Sequence, residues 1–93
     1  MKKEYRAAVQ RAIKESDLNG YTWTVTPDGL EWSYGETFRF SEGKEMLSVY
    51  ADSYGGFMLG MLVGPNSWDD AKTLEEAYYK AAREVIYQAN NLY

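Results

Sequence analysis

The sequence predicts an α+β domain: an antiparallel sheet of four to five strands with N- and C-terminal helices packed on one face, in the order α-β-β-β-β-β-α. Three observations predict it. Apolar residues recur at helical spacing at both ends of the chain, they alternate with polar residues through the middle, and turns carrying Gly, Pro or Asp punctuate the alternating segments. At 93 residues the chain holds one two-layer core, so residues 1–93 read as a single domain.

In the first segment Tyr5, Ala8, Val9, Ala12, Ile13 and Ser16 share one helix face. Asn19 and Gly20 adopt left-handed backbone readily, which predicts a helix end near Leu18. From Tyr21 the period becomes two. Tyr21, Trp23 and Val25 alternate with threonines, Pro27-Asp28-Gly29 turns the chain, and Leu30, Trp32 and Tyr34 alternate with Glu31 and Ser33. Phe38 and Phe40 around Arg39 give a short third strand, set off by turns at Gly35 and Gly43.

Two registers are open to the first hairpin. A loop of Thr26 to Gly29 sets Val25 opposite Leu30, Trp23 opposite Trp32 and Tyr21 opposite Tyr34; a three-residue loop with a bulge would turn Leu30, Trp32 and Tyr34 outward. Burying each large side chain gains about 2–3 kcal/mol, more than turn preference, which favours the first. In the second hairpin, "EMLSVYA" and "FMLGMLV" joined by "DSYGG", pairing Ala51 with Phe57 puts Val49 opposite Leu59 and Leu47 opposite Met61. Gly55 and Gly56 read as hairpin punctuation, and Gly60 as a bulge or a close approach of chains. A capping box, Thr73 with Glu76, predicts the start of the last helix, with Asp69 and Asp70 as an earlier alternative, and the helix buries Leu74, Ala77, Tyr78, Ala81, Ala82, Val85, Ile86 and Ala89. Its geometry sends Tyr78 inward, Tyr79 to the flank and Tyr87 outward.

Several chemistries are excluded by composition. Without His or Cys there is no imidazole base, Ser-His-acid triad, thiolate or disulfide, and no zinc site is expected. Asp69, Asp70, Glu75 and Glu76 cluster where a helix begins, the usual place for helix-capping negative charge. Neither "GETFRFSEGK" nor "SYGGFMLG" has phosphate-loop spacing. The expectation is therefore a non-enzymatic protein with no catalytic residue, cofactor or metal. A cytoplasmic location is expected: "MKKEYRAAVQRAIKES" has no apolar stretch behind its lysines, and the longest apolar run, "FMLGMLVG", is far below the roughly 20 residues of a membrane span.

Net charge is −4, unevenly placed. Residues 1–16 hold five basic and two acidic groups, residues 17–66 two and seven, and residues 67–93 three and five. Lys2, Lys3, Arg6, Arg11 and Lys14 form the one basic face, so direct nucleic-acid binding is not expected and no membrane partner is either.

What remains is binding to another protein. The second hairpin's register gives it a second apolar face, Met46 opposite Leu62 and Tyr50 opposite Met58, where the first hairpin has threonine and glutamate. That face is either a docking patch, since contiguous exposed apolar area marks interaction sites, or is covered by the tail "ANNLY", the loop "GPNSW" or a helix. Tyr79, Arg83 and Tyr87 are a second candidate, of residue types enriched at hot spots, although an Arg stem over Tyr rings also merely shields a helix. Asp28, Glu31, Glu36, Glu42, Glu45 and Asp52 are a third, an acidic surface on the strands and their turns.

"DAKTLEEAYYKAAREVI" looks like the strand-to-helix entry of HicB-like antitoxin domains, a likeness confined to that stretch. In size, acidity, lack of Cys and His, and layout the chain is similar to small phage proteins that inhibit host defences, including anti-CRISPR proteins. These resemblances imply an inhibitor that occludes a surface of a nucleic-acid-handling complex, or an antitoxin with weak nucleic-acid binding. A homo-oligomer, such as a homodimer burying its reverse faces, is the other expectation.

Overall fold

A computed structural model gives the architecture; the structure describes residues 1–52 and 56–92, with Leu92 placed by its backbone alone. Ser53, Tyr54 and Gly55 of the expected hairpin turn and Tyr93 of the tail lie outside the described residues. The elements are α1 (Lys3–Glu15), β1 (Trp23–Thr26), β2 (Gly29–Trp32), β3 (Thr37–Glu42), β4 (Met46–Ala51), β5 (Phe57–Leu62) and α2 (Leu74–Leu92). The strands form one antiparallel meander, β1-β2-β3-β4-β5, with both helices on one face, as the sequence pattern predicts.

α1 buries Ala8, Val9, Ala12 and Ile13 and ends three residues short of Leu18. The reason is local. The Ser16 hydroxyl donates back to the Ala12 carbonyl at 2.6 Å, and Asp17 Oδ1 accepts the Asn19 N–H at 3.0 Å, so side chains take over from the helix ladder. Asn19 and Gly20 are left-handed, with φ of 52° and 82°, but they turn the chain into the sheet instead of capping the helix.

Both hairpin registers follow the burial of large side chains. Val25 pairs with Leu30 and Trp23 with Trp32, and the two indoles stack at 5.3 Å and 9°. Tyr21 and Tyr34 meet at the rim, with ring centres 5.1 Å apart. In the second hairpin Ala51 pairs with Phe57, Val49 with Leu59 and Leu47 with Met61. The ladder is regular through Gly60, which is therefore neither a bulge nor a close approach of backbones; a Cβ there would only touch Met46 Sδ, at 3.4 Å. The close approach is at Gly29, where a Cβ would lie 1.9 Å from the Phe38 carbonyl oxygen.

α2 starts as the capping box predicts. The Glu76 N–H donates to Thr73 Oγ1 at 3.2 Å, while the Glu76 carboxylate reaches back to the Lys72 N–H at 3.0 Å. That bond, with help from Lys80, holds the Glu76 carboxyl below its ordinary range, so its support for α2 is present at neutral pH and is lost as acid protonates it. Tyr78 is buried, stacked on Tyr5 at 4.7 Å, and its hydroxyl donates to Glu42 at 2.6 Å. Burial first, and then the Glu42 contact, push its phenol well above the ordinary value. Small residues, Ala8 and Ala12 on α1 and Ala77, Ala81 and Ala82 on α2, are fully or almost fully buried in the layer the helices share.

Two outcomes follow from this packing. Gly29→Ala must displace β2 from β3, and urea denaturation should show a loss of about 3 kcal/mol; an unchanged midpoint would contradict the close approach. Because the folded Tyr78 phenol binds its proton more tightly than the unfolded one, wild-type stability should fall as pH rises above 10.0. Tyr78→Phe should fall less steeply over the same range; equal slopes in alkaline urea titrations would contradict the buried phenol.

Candidate protein-docking face

The face of the sheet opposite the helices is divided across its width. On β1 to β3 it carries Thr24, Thr26, Glu31, Thr37, Arg39 and Ser41, and on β4 and β5 it carries Met46, Ser48, Tyr50, Met58, Gly60 and Leu62. Period-two alternation forces this arrangement once the core face is fixed. Met46 lies opposite Leu62 and Tyr50 opposite Met58, with Ser48 and Gly60 between them. The result is two apolar ridges with a dip of small residues, roughly 14 Å from ridge to ridge at about 3.4 Å per residue. Met46 leans into the dip, since its sulfur is the atom nearest the missing Gly60 Cβ.

No described segment covers this face. Met46, Met58 and Leu62 are 41%, 78% and 51% exposed, and both helices lie on the other side. The loop "GPNSW" meets only the Leu62 end of it, where the Ser67 hydroxyl donates to the Leu62 carbonyl at 3.3 Å, and Leu62 stays half exposed. Only the Leu92 side chain and Tyr93 of the tail fall outside the description.

Tyr50 is the ordered member of the patch. The Arg39 guanidinium stands over its ring at 4.6 Å and is held there by Asp52 at 2.9 Å. In register, Arg39, Tyr50 and Met58 form one row across β3, β4 and β5. The row is charged at one end and apolar at the other.

The structure does not bring either of the other two candidate groups together whole. Tyr79 is occupied within the chain: its hydroxyl donates to Glu15 at 2.5 Å, Arg83 donates to that hydroxyl at 3.3 Å, and Arg11 lies 4.3 Å over its ring. Tyr87, on the far side of Arg83, is exposed and shares nothing with Tyr79. Tyr79, steadied by Arg83, fastens α2 to α1, and Tyr87 takes no part in that contact. The expected acidic surface is dispersed. Glu36 is buried, 6% exposed, because it shares the core-side parity of Phe38 and Phe40; Glu42 shares it too and bonds Tyr78. Asp28 and Glu45 lie in turns at one end of the meander, Asp52 is at the other end paired to Arg39, and Glu31 stands alone in mid-sheet.

One aromatic was not singled out from sequence. Trp68 is 95% exposed in the loop after β5, next to Ser67, whose hydroxyl donates to the Leu62 carbonyl at 3.3 Å. It thus adjoins the Leu62 end of the patch. The available signal was a Trp in a stretch with no apolar period to bury it.

Among the described residues no group of three or more acidic side chains is placed to hold a metal ion, and no helix is long and apolar enough to cross a membrane. No family model matches the chain, and neither does any curated protein or solved structure.

Because Met58 and Leu62 stand clear of the core, the double variant Met58→Ser/Leu62→Ser should keep wild-type stability within about 0.5 kcal/mol in urea. A larger loss would mean that these side chains support the fold.

Proposed function

We propose that this is a non-enzymatic binding module that acts by laying the β4–β5 face, Met46, Tyr50, Met58 and Leu62, against another protein. The carrying observation is that this apolar surface is left open although the chain has two helices with which to cover a sheet. Docking gives the face what the fold withholds. Removing the exposed parts of Met58 and Leu62 from water offers roughly 1–3 kcal/mol each, and methionine fits its shape to a partner at little cost. Glu31, Thr37 and Ser41 give the apolar area a polar border on its β3 side, as the rims of such interfaces are polar. Trp68, exposed in the loop after β5, is a further anchor that such a partner could take up.

The form of this function that the chain's small size, net −4 charge and likeness in type to phage inhibitors support is occlusion of a surface on a host nucleic-acid-handling complex. In that role the protein competes for a protein surface, and the basic residues of α1 stay solvated. Arg11 bears on the protein itself through Tyr79 and Glu15, and so does Lys2, just before α1, through the Tyr5 ring.

Affinity capture with the folded wild-type chain should recover a partner that the Met58→Ser/Leu62→Ser variant fails to recover. Equal recovery by both would show that this face is not the binding surface. Recovery of wild type by itself, as a dimer at micromolar concentration in light scattering, would move the function to self-association.

A further inference from the structure

β5 is an edge strand, and its free side is a place for another strand. Backbone groups alternate sides along a strand. The Val63 N–H donates inward to Glu45 at 2.9 Å, and the outward Leu62 carbonyl accepts the Ala71 N–H at 3.0 Å. Met58 and Gly60 share the parity of Leu62, so their N–H and C=O groups point away from β4, and among the described residues nothing takes them. Edge strands are normally protected by charge, proline, brevity or a bulge. "FMLGML" is six residues long, regular and uncharged, with none of these. The opposite edge, β1, has four residues and α1 packed beside it.

The lane beside β5 is shaped. A groove of about 490 Å³ runs between Leu59 and Gly60 on the strand and Arg83, Glu84 and Tyr87 on α2. Asp69 and Asp70 also line it. Of the two cations that line it as well, Lys80 is bound to Glu76 at 3.0 Å and to the Asp70 carbonyl at 2.8 Å and Arg83 to the Tyr79 hydroxyl at 3.3 Å, whereas neither aspartate carboxylate has an ion pair among the described residues. Ala71 closes the lane beyond Leu62 through its bridge to Val63. A second copy of β5 would bring its own return loop into the same lane, whereas a single extended segment meets no such obstacle.

We propose that β5 receives an extended segment of a protein partner as a sixth strand between β5 and α2, with its apolar residues on the Met58 side and its basic residues toward Asp69 and Asp70. This rests on the protein-binding reading and deepens it. An added strand places its alternate side chains beside Met58, so the apolar patch and the open backbone become one surface, and the mode is β-strand addition.

The test uses the full chain and a blocked peptide alternating valine and lysine, long enough to span β5, followed by amide NMR. The Met58 and Gly60 amides should shift saturably and exchange their hydrogens more slowly. A peptide N-methylated along its pairing edge should produce neither effect, and a valine–glutamate peptide should bind more weakly. Gly60→Pro removes an outward N–H without touching the β4 ladder and should abolish the response, while Gly60→Ala should retain it. Because the proline variant could misfold, the N-methylated peptide on the wild-type chain is the independent arm. Equal binding of the N-methylated peptide, shifts centred on α1, or no saturable shift would overturn the proposal; concentration-dependent shifts at Met58 and Gly60 without peptide would overturn it in favour of a second copy. If capture of a partner survives Gly60→Pro but not Met58→Ser/Leu62→Ser, the edge inference fails and the docking face stands; if it survives both, both fail.

Discussion

The structure depends on the contact between the two helices. Small residues, chiefly Ala8 and Ala12 on α1 and Ala77, Ala81 and Ala82 on α2, let the helices lie side by side in a single layer. Two helices of about 10 Å diameter cover a width of about 20 Å, close to that of five strands spaced about 4.8 Å apart. The layer therefore roofs one face of the sheet and is used up in doing so. The far face stays open by arithmetic, and its chemistry is whatever the strands put there.

That chemistry changes along the meander. The first three strands are amphipathic in the ordinary way, with rings inward and threonine, serine or glutamate outward. β4 and β5 are apolar on both sides, which suits a strand pair buried twice. Here it is buried only once. Arg39, held by Asp52 and lying on Tyr50, marks the boundary between the two halves and keeps one ring of the patch in place. The same two strands carry the sheet's unprotected edge, so the places where the fold leaves hydrophobic area and hydrogen-bonding capacity unused coincide.

Much of this was legible in the sequence because alternation and burial decide register together. Trp23 against Trp32 and Ala51 against Phe57 follow from asking which pairing hides the most apolar area. Parity also located Glu36: two residues before Phe38 is the core face, and giving weight to its charge over its position put it on the surface, whereas Glu42, at the exposed end of the same row, keeps its access to water while bonding Tyr78. Other features lay beyond pattern reasoning. The early end of α1 is set by side-chain bonds from Ser16 and Asp17 that compete with the helix, and the scatter of the acids depends on which turns share an end of the sheet. Trp68 sits in a loop, where no period tells inside from outside.

The central claim is that the β4–β5 reverse face meets water in the free protein, and the methionines report on it directly. Met46 and Met58 lie on that face and Met61 on the core face of the same ribbon. With a soluble paramagnetic agent, the Met46 and Met58 methyl signals should broaden strongly, Met58 most, while Met61 stays sharp. Equal protection of Met58 and Met61 in the monomer would mean that the chain roofs its own sheet, and would contradict the account.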